Sequence, residues 1–289
     1  VAGSLRVLVT GARGKVGSAA VEALAARGHR VVGTDLAVPD YDPPPGSVPY
    51  VRADLTDLGQ ALSVVRDVDA VVHTAAVPRP GLDPGPTVFT TNVAMTAHVV
   101  EACALNGVRR LVNLSSDSVC GITWARDPAP PVRLPIDEEH PDRPEDPYAL
   151  SKQVSELLCD GLVRRSSCTA VSLRPTWVLT PRTYAASLGP FRRDPELRSP
   201  MFWSYVDVAD LAGLIALAAE STTPGHEVAY AAAADNGTGR DLRAAALAVH
   251  PGLEVRPLPR PDASAISSAK AERLFGWRPT RSWRDVPDA

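Results

Sequence analysis

Tyr148 and Lys152 stand four residues apart in Asp146-Pro147-Tyr148-Ala149-Leu150-Ser151-Lys152, where Pro147 marks a helix start. That spacing puts both side chains on one helical face. An ammonium beside a phenol favours the phenolate, so the pair can take or give a proton at a reacting oxygen. An aromatic and a lysine at this spacing also occur where the two only pack. Chain order favours the catalytic reading: a glycine loop comes first, then Ser115-Ser116-Asp117-Ser118 after a strand, then the pair.

The glycine loop follows the β-branched run Val7-Leu8-Val9-Thr10. It reads Gly11-Ala12-Arg13-Gly14-Lys15-Val16-Gly17 and leads into a helical pattern with Ala20 and Leu24. Strand, tight turn and helix in this order make a dinucleotide-binding unit. Gly11 permits the turn, Gly14 lets backbone approach a pyrophosphate, and Gly17 lets helix and strand pack closely. Gly11, Arg13, Gly14, Lys15, Val16 and Gly17 are therefore candidate cofactor contacts. Asp35 ends the second strand, 18 residues past Gly17. A carboxylate there accepts from ribose hydroxyls and repels a 2′-phosphate, although strand ends also carry turn-forming aspartates. Asp35 thus points to NAD, and Arg13 keeps NADP open.

A third strand over residues 50–55 brings Asp54 within reach of an adenine, and Thr56 is the expected N-cap of the next helix. The fourth strand, residues 69–76, ends in Ala75-Ala76, small residues that leave room for a ligand. His73 reads as a packed strand-end histidine or as a base, and packing is preferred because Tyr148 fits the base role better. A helix over 88–106 and a strand over 108–114 follow. This alternation predicts an α/β fold, a Rossmann doubly wound parallel sheet with a small C-terminal substrate-binding lobe. The expected parts are a core over 1–180, a lobe insertion over 181–203, returning elements over 204–234 and a lobe over 235–289. Right-handed crossovers then gather the glycine loop, Asp35, Ala75-Ala76 and Ser115-Ser116 at one sheet edge.

Composition bounds the function. A net charge of −3 and scattered arginine pairs argue against nucleic acid. No stretch reads as long enough for a membrane span, so no membrane partner is expected. Four cysteines without metal spacing read as reduced thiols, with no metal and a cytoplasmic location expected. Of the 28 prolines, most cluster over 39–49, 78–86, 128–147 and 251–261 as stiff connections.

The quoted motifs, with His73-x-Ala75-Ala76, Asn92, Val119-Cys120-Gly121 and Leu173-Arg174-Pro175, resemble the extended short-chain dehydrogenase/reductase superfamily. Its members include NAD-dependent epimerases, dehydratases and sugar dehydrogenases. Ser204 through Ala212 and Lys270 through Pro279 resemble its later elements. The resemblance implies that Ser116, Tyr148 and Lys152 are catalytic. Tyr148 would be the general acid/base, Lys152 would hold the nicotinamide ribose, and Ser116 would orient the substrate oxygen. It also implies cofactor roles for Asp54, Leu55, Ala75, Ala76, Asn92, Tyr148, Lys152 and Pro175. Two departures matter. Cys120 replaces a common tyrosine, and Asp117-Ser118 lacks the glutamate of sugar dehydratases, which argues against dehydration.

The short lobe favours a small substrate, as in the uronate dehydrogenases it also resembles. Ser115, Asp117, Arg182 and Tyr184 are the candidate substrate contacts. The resemblance further implies a homodimer through the Asn92 and Tyr148 helices, with Leu150, Val154, Leu157, Leu158 and Leu162 as an apolar stripe. The leading expectation is an NAD-dependent oxidoreductase acting on a small sugar, sugar acid or polyol. The alternatives are a nucleotide-sugar epimerase and a non-catalytic nucleotide sensor, the last disfavoured by the intact Ser116, Tyr148 and Lys152.

Overall fold

A computed structural model describes residues 3–38, 41–44, 46–194 and 196–286. Parts of the proline-rich 39–49 connection (Pro39 and Pro45) and the last three residues of the expected lobe lie outside these. The elements run β1 (Arg6–Thr10), α1 (Lys15–Ala26), β2 (Arg30–Asp35), β3 (Tyr50–Arg52), α2 (Leu58–Val64), β4 (Ala70–His73), α3 (Gly85–Leu105) and β5 (Arg110–Leu114). Then come β6 (Arg133–Leu134), α4 (Pro147–Arg165), β7 (Thr169–Pro175), β8 (Trp177–Leu179), α5 (Tyr184–Arg193), β9 (Tyr205–Asp207) and α6 (Val208–Glu220). The chain ends with β10 (His226–Ala231), α7 (Leu242–Val249), β11 (Glu254–Val255) and α8 (Ala269–Phe275).

Seven strands form one sheet in the order β10-β7-β5-β4-β1-β2-β3. The pairs from β7 to β3 are parallel, with Val7 opposite both Val31 and Ala70. This is the doubly wound sheet that the strand–helix alternation predicts. Val7, Leu8 and Val9 are fully buried, as apolar runs covered on both sheet faces must be.

The chain divides into two compact units. The first comprises residues 1–115, 146–173 and 212–228, and the second 116–145, 174–211 and 229–289. The expected lobe segments 181–203 and 235–286 both fall in the second unit. That unit also takes in 116–145, a stretch inside the expected 1–180 core. Residues 116–145 contribute Cys120, Ile122, Leu134 and Ile136 to a core with Trp203, Tyr230 and Leu242.

Two glycines shape the first βα turn. Gly11 has φ +64°, and a Cβ on it would come within 2.7 Å of the Ala75 nitrogen. A Cβ on Gly17 would sit 2.0 Å from the Gly11 carbonyl oxygen. Helix α1 starts with no side-chain cap and no acid in its first turn, which leaves its leading N–H groups to an anion.

Three sequence expectations change. Helix α3, at 21 residues, is long and apolar enough to span a membrane by length and composition. It buries Val88, Met95, Val99, Val100 and Cys103, so its apolar length serves the core. Asp57, not Thr56, caps α2 by accepting from the Gln60 N–H at 2.9 Å. Thr56 is taken by Asp54, whose Oδ1 accepts from its N–H and hydroxyl at 2.9 and 2.7 Å, and this turn follows a β3 shorter than expected.

Gly17→Ala is expected to lower the unfolding midpoint sharply, because backbone must shift. Gly161→Ala, within α4 and with open space at the new methyl, should stabilise by about 0.5–1 kcal/mol. Denaturant unfolding of both variants checks this.

Candidate active site

On the nucleotide side of the first unit, the Asp35 carboxylate accepts from the Arg13 N–H at 3.0 Å and from the Leu36 N–H at 2.8 Å. Two backbone donors fix the carboxylate and leave lone pairs for ribose hydroxyls. The Arg13 guanidinium lies over the Tyr50 ring, 4.9 Å from its centroid. Gly14, Arg13 and Lys15 are exposed beside the uncapped helix start. These residues fit a dinucleotide. Asp54 accepts from Thr56 in the turn after β3, which holds its carboxyl below the usual carboxylate range. Leu55 is buried in the core.

The small-residue loop after β4 is braced. Thr74 donates its hydroxyl to the Thr10 carbonyl at 2.6 Å, and the Ala75 N–H donates to Thr10 Oγ1 at 3.2 Å. Asn92 accepts from the Val77 N–H at 2.8 Å and donates to the Val77 carbonyl and to Ser151 Oγ. Its amide therefore ties this loop to α4. His73 is buried, with Nδ1 2.8 Å from Thr10 Oγ1 and Nε2 3.2 Å from Thr96 Oγ1. Burial, and then the Lys152 charge, push it down to about 3, so it stays neutral and packed.

Tyr148 sits in the first turn of α4, its N–H capped by Asp146 Oδ1 at 2.9 Å. Lys152 lies one turn on, with Nζ 5.7 Å from the Tyr148 ring centroid and donating to the Leu114 carbonyl at 2.7 Å. Both side chains are buried, at 8% and 7% exposure. Burial lowers Lys152 to about 8, while Glu156 pulls it back up. Ser115 is an expected substrate contact. It is buried, and its hydroxyl donates to Glu156 Oε1 at 2.6 Å. Glu156 itself belongs to none of the sequence motifs described above.

In the second unit, Ser116 caps a short helical turn, Asp117–Cys120. Its Oγ accepts from the Ser118 N–H and hydroxyl at 3.2 and 2.9 Å and donates to Asp117 Oδ1 at 3.3 Å. Thr123 donates to Asp117 Oδ2 at 3.3 Å. Burial pushes the Asp117 carboxyl up to about 7, against these donors. Arg174 is buried and pairs with Asp142 through two contacts of 2.8 Å. Pro175 is buried at the end of β7. Arg182, also an expected substrate contact, is exposed. Tyr184, another expected substrate contact, is buried, and its hydroxyl donates to Asp207 at 2.6 Å.

A second constellation lies in the first unit. Ser172 Oγ is 2.8 Å from His226 Nε2, and His226 Nδ1 is 2.8 Å from Asp160 Oδ1. That is the connectivity of a hydrolytic triad. Ser172 is fully buried on β7 and receives the Asn113 amide at 3.1 Å, so it is not an accessible nucleophile.

Residues 7–231 match the profile of the NAD dependent epimerase/dehydratase family. A 3-diazoavenalumate denitrifying reductase from a Streptomyces species is 32% identical, over 97% of this chain and 98% of its own. Uronate dehydrogenase of Pseudomonas syringae pv. tomato is 28% identical, over 78% of this chain and 73% of its own. Among solved structures, Thermus thermophilus UDP-glucose 4-epimerase in complex with NAD superposes with a TM-score of 0.70 at 26% identity, covering 98% of this chain and 97% of its own.

Asp117 gives a measurable pH signature. Its carboxyl moves from 3.8 in the unfolded chain to about 7. A raised acid contributes stability that is complete below the lower value and lost as pH rises through the upper one. Asp117→Asn should therefore unfold at a higher temperature than wild type at pH 8, with the gap closing towards pH 4. Thermal melts across that range check it.

Proposed function

The chain belongs to the NAD dependent epimerase/dehydratase family, and from that premise we propose that it is an NAD-dependent oxidoreductase of small sugars, sugar acids or polyol-like molecules. It interconverts a secondary alcohol and its ketone. The observation that carries the reading is the buried Tyr148–Lys152 pair, with the lysine pinned to the Leu114 carbonyl. The N-terminus of α1, with Arg13, Gly14 and Lys15, would hold the cofactor diphosphate, Asp35 the adenosine ribose and Lys152 the nicotinamide ribose. Bound NAD supplies the hydride acceptor or donor. In oxidation, Tyr148 Oη takes the hydroxyl proton while the Lys152 ammonium favours the phenolate; reduction reverses this. Ser116 donates to the substrate oxygen by turning its hydroxyl away from Asp117. Arg182 is the proposed anchor for a substrate carboxylate.

A second reading draws on the Streptomyces reductase, whose match runs nearly end to end through both chains. It is reductive loss of nitrogen from a diazo compound, in which the diazo group, protonated to an aryl diazonium ion, takes a hydride at carbon as dinitrogen departs. No hydroxyl proton moves in that step, so it does not need Tyr148 as a base.

One assay separates the readings. Sugars, uronates, UDP-sugars and an arenediazonium salt are presented with oxidised or reduced cofactor, and nicotinamide absorbance and products are followed. Net NADH from a sugar or uronate is expected, and Tyr148→Phe should lower kcat by about 10²–10⁴-fold with little change in NADH affinity. Unchanged turnover of the alcohol would overturn the acid/base assignment. Isomerised UDP-sugar without net redox would mean an epimerase, and diazonium reduction surviving Tyr148→Phe the second reading. Faster turnover with NADP⁺ than with NAD⁺ would overturn the role given to Asp35.

We also propose a homodimer through α3 and α4. Of the expected stripe, Leu162 is in the core, whereas Leu150 and Leu157 remain 36% and 60% exposed, seven residues apart on one face of α4. Sedimentation should give a two-chain mass that Leu157→Glu reduces to one; a monomeric wild type would overturn it.

A further inference from the structure

Lys152 and Glu156 lie one turn apart on α4, and the end of β5 holds both. The Leu114 carbonyl accepts from Lys152 Nζ at 2.7 Å, and the next residue, Ser115, donates to Glu156 Oε1 at 2.6 Å. Lys152, Glu156 and Ser115 are 7%, 6% and 2% exposed. A carbonyl dipole alone is a poor partner for a desolvated ammonium, because burial disfavours the charged form and only an opposite charge restores it. Glu156 is placed to be that charge, and the Ser115 hydroxyl holds its carboxylate in position.

We propose that Glu156 is a positioning residue for the site: its carboxylate, held by Ser115, keeps the Lys152 ammonium charged and aligned with Tyr148 at neutral pH. This rests on the proposed function only in giving Lys152 a role in turnover; the charge coupling stands apart from it.

The other groups around Lys152 do not supply that charge. From β4, His73 is driven neutral by burial and by Lys152 itself. From β5, Leu114 and Ser115 offer uncharged atoms. From α3, Asn92 contributes an amide bonded to Ser151. On α4, Tyr148 is a phenol, and burial pushes the Cys159 thiol up, with the Glu156 charge adding to the rise. Glu156 is the carboxylate of the set. Its role escapes a motif search because a glutamate four residues past a lysine is ordinary on any helix surface; burial gives it meaning.

The chain has three lysines, Lys15, Lys152 and Lys270, so protein grown on lysine labelled with ¹³C at Cε gives three titratable NMR signals. The Lys152 signal is assigned by its loss in Lys152→Arg. Its wild-type midpoint is expected at about 8. In Glu156→Gln, which keeps the shape and an acceptor for Ser115 but removes the charge, the midpoint should fall by roughly 1–3 pH units, with Lys15 and Lys270 unmoved. NADH affinity, titrated against pH, should decline from a correspondingly lower pH. A Lys152 midpoint unchanged in folded Glu156→Gln overturns the proposal. Should that variant fail to fold, Ser115→Ala carries the test: a lower Lys152 midpoint supports the proposal and an unchanged one overturns it. The two readings fail separately. Full turnover in Tyr148→Phe removes the acid/base assignment and leaves the midpoint shift standing, whereas an unmoved midpoint removes Glu156 and leaves Tyr148.

Discussion

A primary ammonium buried at the end of a parallel strand is the constraint on which this end of the first unit depends. The Leu114 carbonyl receives Lys152 at 2.7 Å and ties α4 to the end of β5, while Glu156, one turn on, supplies the opposite charge. Other contacts then fall into place along the helix. Asp146 caps its first turn, Pro147 packs where a side chain on Gly85 would stand, and Asn92 reaches Ser151 from α3. Loss of the tie to β5 would displace the Tyr148 phenol as well. Lysine suits this place better than arginine, since its charge responds to surroundings within the working pH range and a guanidinium stays protonated.

The two units hold buried charge in opposite ways. In the first, Lys152 has a carboxylate a turn away on its own helix. In the second, Asp117 has three hydroxyls nearby (Ser116 and Thr123 bonded to it, Ser118 to Ser116), and burial outweighs them. Hydroxyls stabilise an anion through dipoles only, and bonds of 3.3 Å do so weakly. A buried acid near neutrality is thus a local property of how 116–123 folds.

The residues legible in the sequence are those whose meaning is local. The glycine spacing, Asp35 at a strand end and the four-residue step from Tyr148 to Lys152 each follow from a backbone rule, and the sheet order follows from alternation. What escaped depends on partners distant in the chain. Ser115 and Tyr184 carry polar groups that look available until Glu156 and Asp207 are brought against them. Thr56 is a reasonable cap until Asp54 takes its hydroxyl. Helix α3 reads as unremarkable in charge pattern, yet its apolar length is apparent once its faces are seen to be covered. No local pattern distinguishes a buried Glu156 from a solvated one.

The Ser172–His226–Asp160 row bears on how enzymes are recognised by shape. Its two links are each 2.8 Å long, as good as those of a working hydrolase. What it lacks is a route for substrate, because the serine lies inside a strand flanked by β5 and β10. A template built only from donor and acceptor positions would label this chain a hydrolase. Adding the solvent path to the nucleophile as a further coordinate removes the error and leaves the row as a polar strut joining α4 to the sheet.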